Sequence, residues 1–485
     1  MRRFTIPAET YDECNLNKRD ILHLIQKHRA CVPRLETLEK YYGGQHKILS
    51  ENRANKLVCN HAKDISDTAS SYFIGNPVSY KSDQDITPLI DELESAGADE
   101  ADGDLGLDLS IYGRAYEYIY AAQEEAELRI KNLPSQNTFV VCDDTIEENE
   151  LFGVYYFAKI DDTDKTNIRY AATVVTKNYK YVLNIQDTEK PQSLTEVPEP
   201  HYLDEVPIIE YQNNKLEIGD YELQIPLIDA YNALMSDRIT DKEQFIDAIL
   251  AIYGTLLADD DEPADESMKG TTEGGEQTES NTQKAYKKLK RDKLLELPDG
   301  SKAEYLTRTF DESGVEILKK AIEQDIHKFS HIPCMTDESF GGNVSGVAME
   351  FKLLGMENIT KIKTRYYKKG LRRRLRIFAN YLNKRSGVNI DIKAIKPTFS
   401  RALPKNHLEI SQIVANLWGK VSRKTLLAQI PFVEDPDEEL KVVEKEENDA
   451  LKKQKEVFGL GSNTPPNEER EDEPPEKKKR GDVDE

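Results

Sequence analysis

The sequence predicts an α+β protein that contains one very long helix. Between positions 116 and 183, short segments rich in aromatic and β-branched residues alternate with Asp, Asn and Thr turns, which is typical of an antiparallel sheet. Stretches with helical periodicity flank this region on both sides. Farther along, apolar residues recur mostly three or four positions apart from Phe351 to Leu382, and they predict a helix from Gly346 to Arg385 of roughly 60 Å. Helices beside an antiparallel sheet make an α+β fold.

The N-terminal half begins with helices and continues with strands. Residues 17–42 have a helical pattern that Pro33 interrupts and that Gly43 and Gly44 end. A second helix is predicted over about 54–72, and an acidic helix over about 86–96. The predicted strands are 116–120, 138–141, 154–158, 170–176 and 179–183.

The middle of the chain predicts two helices that enclose an insertion. The first begins at Pro226, which suits a first helical turn, and continues for about thirty residues to Leu256. A polar, acidic stretch follows over 259–281, and a hairpin is predicted over 294–306. Helical periodicity resumes at 312 and ends at 332. The arrangement is a stalk of two helices with a tip between them.

A glycine-punctuated loop, residues 333–346, precedes the long helix. Its three glycines can adopt positive φ, and Asn343 or Ser345 is placed to cap the helix that follows. Gly355 and Gly370 lie inside that helix, where each costs about 1 kcal/mol relative to alanine. We therefore expect a bend at Gly355.

The second half of the long helix carries a run of basic residues. Two interpretations are open: a solvated face or ion pairs with a neighbouring subunit, and contact with nucleic acid. The run consists of Lys361, Lys363, Arg365, Lys368, Lys369, Arg372, Arg373, Arg374 and Arg376.

Three further helices are predicted behind the long helix. They cover 406–418, 422–429 and 436–457, and Ser422 and Asp435 are their expected N-caps. Pro, Glu, Asp and Lys dominate residues 459–485, for which we expect disorder.

Composition limits the classes of function. The chain has 485 residues and a net charge of −23, so its field would repel phosphate and it is not expected to wrap nucleic acid tightly. Its five cysteines are scattered singly, which suits reduced thiols. We expect neither a signal peptide nor a membrane span, because no apolar run is long enough.

The sequence contains little that indicates catalysis. It has no phosphate-binding Gly-x-x-x-x-Gly-Lys-Ser/Thr motif, no His-x-x-x-His and no Gly-x-Ser-x-Gly. The carboxylates of Asp259, Asp260 and Asp261 could bind a metal, but consecutive residues at a helix end converge poorly on one ion. We therefore predict no catalytic residue, no metal site and no cofactor.

Several short segments together are similar to those of a known family. They are Tyr41–His46, Asn60–Ile65, Tyr72–Val78, Leu297–Gly300 with Tyr305 and Leu306, and Ser345–Ala348 through Phe351–Gly355. In order and spacing, over about 39–440, they resemble the portal proteins of tailed bacteriophages, of the siphophage type found in phages of Gram-positive bacteria. None of these segments is a catalytic signature, so the specificity lies in the combination.

The resemblance implies a portal-protein fold with named parts. By position, these would be a wing of helices and antiparallel sheet (1–223), stem helices (224–258 and 311–332), a clip (259–310), a tunnel loop (333–346), a long kinked helix returning to the wing (347–400), a helical crown (401–458) and a disordered tail (459–485).

The resemblance also implies a function and partners. The subunits would form a dodecameric ring at one capsid vertex in the virion, assembled in the host cytoplasm. Double-stranded DNA would pass through the ring during packaging and ejection, with transient contacts that do not depend on sequence. The other partners would be the terminase large subunit, a head-completion or adaptor protein, the scaffolding protein and the major capsid protein; no membrane is involved.

Particular residues take roles under this resemblance. The clip residues expected to dock the motor or adaptor are Leu295, Asp299, Gly300 and Tyr305. The DNA-facing tunnel loop would consist of Asp337, Glu338, Ser339, Phe340, Gly341, Gly342, Asn343, Val344 and Ser345.

Two other classes of function are the alternatives. A capsid-associated nuclease would use the acidic stretch after 258, and its activity would depend on a divalent metal. An internal scaffolding protein would be an extended helical chain, whereas the tyrosine-rich strands and Trp418 in a patterned helix favour a folded one.

Overall fold

The structure is a computed structural model, and it does not describe every residue. The described residues are 4–122, 127–160, 168–186, 197–246, 249–253, 302–306, 312–335, 346–401, 407–430, 433 and 436–457. They divide into two compact units, Met1–Leu403 and Pro404–Glu485. Much of the predicted clip, the DNA-facing residues 337–345 of the predicted tunnel loop and the predicted disordered tail lie outside the described residues.

Both units contain helices. Those of the first unit are α1 (Lys18–Arg29), α2 (Val32–Tyr42), α3 (His61–Ile74), α4 (Thr87–Ser95), α5 (Ala98–Tyr112), α6 (Ile225–Ile246), α7 (Glu312–Ser330) and α8 (Gly346–Ser386). Those of the second unit are α9 (His407–Leu417), α10 (Arg423–Leu427) and α11 (Pro436–Val457).

The strands among the described residues belong to the first unit. They are β1 (Phe4–Ile6), β2 (Ser79–Lys81), β3 (Arg114–Ala121), β4 (Leu128–Leu133), β5 (Thr138–Asp143), β6 (Glu150–Ile160), β7 (Ile168–Val175), β8 (Tyr179–Gln186), β9 (Glu199–Pro200), β10 (Ile208–Gln212), β11 (Ile249–Tyr253), β12 (Lys302–Leu306) and β13 (Lys396–Thr398).

The predicted antiparallel sheet is in fact two sheets. One has six strands in the order β1-β5-β6-β7-β8-β9, and its first strand runs parallel to β5. The other has the order β10-β3-β4 and is antiparallel throughout. The sequence could not separate them, because a strand pattern specifies which face of a strand is buried but not which strand lies next to it. The α+β class itself is confirmed.

Each sheet packs against helices on one face. Helix α1 covers the six-stranded sheet, where Ile21, Leu24 and Ile25 join Phe139 and Leu183 in one apolar core. The three-stranded sheet packs against α5 and against the second half of α8 in a separate core. A third core joins α2, α3, α6 and α7 to the start of α8.

Three helices differ from the prediction. Helix α3 begins at His61 rather than near 54, because the Asn60 side chain accepts a hydrogen bond from the Lys63 backbone N–H (3.1 Å) and caps the helix there. Helix α5 was not predicted; it is buried on several sides and so lacks one apolar stripe. Helix α6 ends at Ile246 instead of near 256.

The chain after α6 forms a strand where the sequence predicted more helix. Strand β11 pairs in antiparallel fashion with β12, and Leu250 lies opposite Tyr305. A short apolar run fits a strand as well as a buried helix, so periodicity could not decide between them. The predicted strand over 303–306 is confirmed, with β11 as its partner, whereas the predicted hairpin partner over 294–297 lies outside the described residues.

Helices α6 and α7 lie side by side and antiparallel. Arg238 of α6 donates to Glu316 of α7 (2.9 Å), and Lys242, one turn later, pairs with Glu312, one turn earlier (2.8 Å). This register and the antiparallel β11–β12 pair give the predicted stalk of two helices.

The helices of the second unit are confirmed. Ser422 caps α10, since its side chain accepts from the Thr425 backbone N–H. The other predicted cap, Asp435, lies outside the described residues. None of the helices in the described part of the chain combines the length and apolar character of a membrane span.

Candidate functional site

The long helix α8 is the element around which the candidate functional residues are arranged. It is continuous from Gly346 to Ser386, as predicted. The apolar stripe predicted for this helix is buried in its second half but not throughout its first half. Leu371, Leu375, Phe378 and Leu382 are buried as expected, but in the first half of the helix Phe351 is 73% exposed.

The glycines of α8 have different surroundings. At Gly370 the ring of Tyr211 approaches so closely that an added Cβ would lie 2.5 Å from Tyr211 Cδ1. At Gly355 the nearest atoms, those of His331, are 3.6 Å from the same position, which is ordinary contact. Close packing thus explains Gly370, while no contact requires a glycine at 355 and the bend expected there stays a prediction.

Arg374 is the centre of a fully buried ion-pair network. Its side chain is 0% exposed, and its Nη1 donates to Asp102 Oδ1 of α5 (2.6 Å). Its Nη2 and Nε donate to Glu117 of β3 at 2.5 Å and 3.1 Å. The hydroxyls of Tyr367 and Tyr211 donate to the same two carboxylates at 2.6 Å and 2.7 Å. One arginine thus joins α8, α5 and the three-stranded sheet.

In this network the opposite charges of Arg374 and the two carboxylates offset the cost of burying them. Burial raises the pKa of Asp102, and the charge of Arg374 and the Tyr367 hydroxyl act against that shift. Burial also disfavours the charged guanidinium, yet Asp102 and Glu117 outweigh it and raise the pKa of Arg374. Removal of one partner from such a buried ion-pair network leaves an uncompensated buried charge and strongly destabilises the folded protein.

Lys363 makes a second buried connection on the same face of α8, about three turns before Arg374. Its Nζ donates to Asp220 Oδ2 (2.6 Å), and the lysine side chain is 2% exposed. Asp220 also accepts from the Ser110 hydroxyl (2.7 Å) and from Asn213 Nδ2 (2.8 Å). The turn that leads to α6 is therefore held against α5 and α8.

These contacts correct part of the prediction for the basic run. Lys363, Arg373 and Arg374 were expected to meet a neighbouring subunit or nucleic acid, but each pairs within the chain, and the partner of Arg373 is Glu150. Their carboxylate partners lie far away in the sequence, so a cation that points inward cannot be told from a solvated one by the sequence pattern. Lys368 is half-buried, with its ammonium over the Phe399 ring.

The remaining members of the run are exposed. They are Lys361, Arg365, Lys369, Arg372 and Arg376. Lys361 lies 3.7 Å from Glu357 on the same helix, and Arg376 lies 2.9 Å from Glu205. For these five the interpretations as intersubunit or nucleic-acid contacts stay open.

The predicted clip and tunnel-loop residues receive little structural description. Leu295, Asp299 and Gly300 lie outside the described residues, as do all the loop residues from Asp337 to Ser345. Only the backbone of Tyr305 is described, within β12. Their roles therefore stay predictions.

A histidine pair that the sequence did not indicate lies where α3 packs against α7. The rings of His61 on α3 and His327 on α7 lie 5.6 Å apart, edge to face. His327 Nδ1 shares a hydrogen bond with the Ile332 carbonyl (3.0 Å), while His61 Nε2 is buried without a partner among the described residues. Burial and then His327 lower the pKa of His61. Within the described ranges, no group of His, Cys, Asp and Glu is arranged to hold a metal ion.

Comparison with known proteins gives the family. Residues 21–453 match the family model described as "Phage portal protein, SPP1 Gp6-like". The portal protein of Bacillus phage SPP1 is 25% identical over 435 residues, which are 84% of this chain and 80% of that protein. The portal protein of Clostridium phage phiCD119 is 21% identical over 407 residues, or 80% of this chain and 84% of that protein.

Solved structures add weaker likenesses. A chain from the neck of an empty GTA particle has a TM-score of 0.42 and 12% identity, with coverage of 76% of this chain and 90% of that one. A chain of the native GTA virion has a TM-score of 0.39 and 12% identity, with coverage of 79% and 98%. These scores are too low for a comparison of elements. The family match spans nearly all of the described residues, and the chain therefore belongs to the SPP1 Gp6-like phage portal proteins, the head-tail connector components of the virion, which are structural proteins and not enzymes.

Proposed function

We propose that identical copies of this chain close into a dodecameric ring at one capsid vertex and that DNA passes through the ring during packaging and ejection. Membership of the portal family over residues 21–453 is the observation that carries the proposal. The two similar portal proteins from phages of Bacillus and Clostridium support it.

Exposed apolar residues on the stalk and the long helix support assembly. Ile317 of α7 is 70% exposed, and Leu318 beside it is also exposed. On α8, Phe351, Leu354 and Ile362 are exposed along the first half of the helix. Large exposed apolar side chains suit a protein contact, and full burial of each contributes about 1.5–3 kcal/mol. A head-to-tail contact of this kind closes into a ring when its rotation permits.

The net negative charge of the chain suits a channel through which DNA slides without tight binding. Each phosphate neutralised by Lys or Arg adds affinity that does not depend on sequence and that would slow sliding. A net charge of −23 per subunit keeps the average field repulsive, so contact with DNA is limited to local groups. We assign these contacts to the loop from Asp337 to Ser345, and we assign to Gly355 the flexibility that lets α8 follow the loop.

The end of the stalk is the proposed docking site for other proteins. Strand β11 follows the end of α6 and strand β12 precedes the start of α7, and the pair marks the base of the insertion that contains Leu295, Asp299 and Gly300. We propose that this tip docks the terminase large subunit first and a head-completion or adaptor protein later. The scaffolding and major capsid proteins would contact the wing during assembly.

The nuclease and scaffolding alternatives gain no support. The family is a structural one. The carboxylates from Asp259 to Asp261 lie outside the described residues, so no geometry favours a metal site there.

Two apolar-to-aspartate variants test ring formation. Phe351→Asp introduces a charge at the proposed subunit contact, while Ile146→Asp makes the same kind of change at a fully exposed turn on the wing. Mass photometry should show rings for the wild type and for Ile146→Asp, and mainly smaller species for Phe351→Asp. Rings of equal abundance in all three would remove the assigned contact, and the lack of rings in the wild type at any concentration would contradict the proposed function.

A further inference from the structure

The exposed cations of α8 form one continuous stripe on a single face of the helix. We call Lys361, Arg365, Lys369, Arg372 and Arg376 the basic stripe; their spacing of four, four, three and four residues keeps them in line. The two end members have carboxylate neighbours within the chain, Glu357 and Glu205. Among the residues that the structure describes, no carboxylate pairs with the three central members.

The basic stripe points away from the body of the subunit. Tyr367 and Arg374 face α5, where both contact Asp102. Arg365 precedes Arg374 by nine residues, which at 3.6 residues per turn is about half a turn around the axis. Three unpaired cations thus project outward from the side of α8 that has no contact with α5.

An acidic cavity lies on another side of the same unit. It has a volume of about 500 Å³ and is lined by α2, the C-terminal half of α5 and the turn after β4. The carboxylates of Glu36, Glu39 and Asp108 form its wall together with Asn132 and Gln136. No lining residue belongs to α8. Asp108 follows Asp102 by six residues, about 120° away around α5, so the cavity does not face the long helix.

Two polar groups in this cavity lack a counterpart. Asn132 donates through Nδ2 to the Ala101 carbonyl (3.1 Å), but its Oδ1 accepts no hydrogen bond from any described residue. The Asp108 carboxylate likewise has no hydrogen bond or ion pair within the described ranges. Burial, then repulsion from Asp104 and Glu39, raises the pKa of Asp108 to about 7. A donor that carries positive charge would satisfy both groups.

We infer that the basic stripe of one subunit docks against the acidic cavity of the next subunit around the ring. The inference rests on the proposed ring. Two complementary patches on different sides of one chain meet the requirement of a head-to-tail contact, in which unlike surfaces of neighbouring copies join. Opposite charges at such a seam favour the correct partner and its orientation, and they offset part of the repulsion between acidic subunits.

Paired charge reversals test the seam directly. One variant carries Arg365→Glu and Lys369→Glu, a second carries Glu36→Lys and Glu39→Lys, and a third combines all four changes. The positions are exposed, so folding should persist, which circular dichroism verifies. At about 0.15 M salt we expect each double variant to lose at least tenfold in ring abundance by mass photometry, and the combined variant to regain most of the wild-type rings.

A matched control separates the seam from net charge. Lys81→Glu with Lys396→Glu changes the charge by the same amount as the first variant, at exposed positions on β2 and β13. Rings of this control should match those of the wild type. If the charge-reversed chain fails to fold, the neutral double variant Arg365→Gln with Lys369→Gln replaces it in the test. This variant should also lower ring abundance.

The outcomes distinguish the inference from the proposed function. If the wild type forms rings and the charge-reversed variants form them equally well, the proposed contact is refuted while the proposed ring is not. Loss without rescue in the combined variant would also overturn it, since the stripe would then meet another surface. If the rings persist but DNA binding loses its salt dependence in the Arg365→Glu, Lys369→Glu variant, the stripe faces DNA. A wild type that never forms rings would contradict the proposed function itself.

Discussion

Replacement of Gly370 by alanine should destabilise the first unit by overpacking the contact between α8 and β10. The added Cβ would lie 2.5 Å from Tyr211 Cδ1 and 2.8 Å from Cζ, well inside van der Waals contact. Tyr211 cannot turn aside freely, because it is fully buried and its hydroxyl donates to Glu117 (2.7 Å). Its ring also lies 4.7 Å from that of Tyr367. The extra methyl group therefore has no space to enter.

The expected magnitude is the sum of three effects. Overpacking of a dense core costs about 1–3 kcal/mol, and loss of the Tyr211 hydrogen bond to a charged group would add about 1.5–3 kcal/mol. Alanine offsets about 1 kcal/mol of this through its better helix propensity. We expect a net loss of about 1.5–5 kcal/mol in the free energy of unfolding. Gly355→Ala is the matched control on the same helix: its nearest contacts are at 3.6 Å, so it should gain up to about 1 kcal/mol.

Urea unfolding monitored by far-ultraviolet circular dichroism measures both changes. Trp418, the single tryptophan, lies in the C-terminal unit and would report on the wrong part of the chain. The Phe351→Asp background removes any contribution of assembly to stability. If Gly370→Ala unfolded at the same urea concentration as its parent, the close approach of Tyr211 would not be what selects glycine at this position.

Two further changes probe the buried polar groups. Arg374→Met leaves the carboxylates of Asp102 and Glu117 buried without their cation, so we expect a loss of about 3–5 kcal/mol in urea unfolding; a loss below about 1 kcal/mol would contradict the assigned network. Burial lowers the pKa of His28 to about 4, and its Nδ1 lies 2.8 Å from the Tyr156 hydroxyl. Since the unfolded chain binds this proton near pH 6.5, stability should be complete above that pH and should fall by about 3 kcal/mol as the pH drops to 4. His28→Gln should remove this part of the pH dependence, and an unchanged acid slope would refute the assignment.

The sequence predicted the helices and strands that depend on the periodicity and the capping residues of their own segment. The long helix, the stalk helices up to Ile246 and strands β3, β5, β6, β7 and β8 follow from periodicity and caps, and the family resemblance rests on the order of short motifs. The structure differs where tertiary contacts decide. Residues 249–253 form a strand because β12 pairs with them, although their apolar pattern fits a helix equally well.

For the basic run, too, the sequence pattern alone could not show which residues are buried and which are free to contact a partner. Arg374 and Arg372 look alike in the sequence, yet one is fully buried and the other is exposed. The difference depends on Asp102 and Glu117, which lie more than 250 positions earlier and become partners only when α5 and β3 pack under α8. The sequence marked Gly370 as a costly residue, but the reason for the glycine, the ring of Tyr211, lies 159 positions earlier in the chain.

Negative-stain electron microscopy of the purified full chain tests the central claim most directly. The account predicts closed rings of about a dozen subunits with a central hole, formed without any other phage protein. Only monomers or dimers, across micromolar concentrations and at both low and moderate salt, would contradict it.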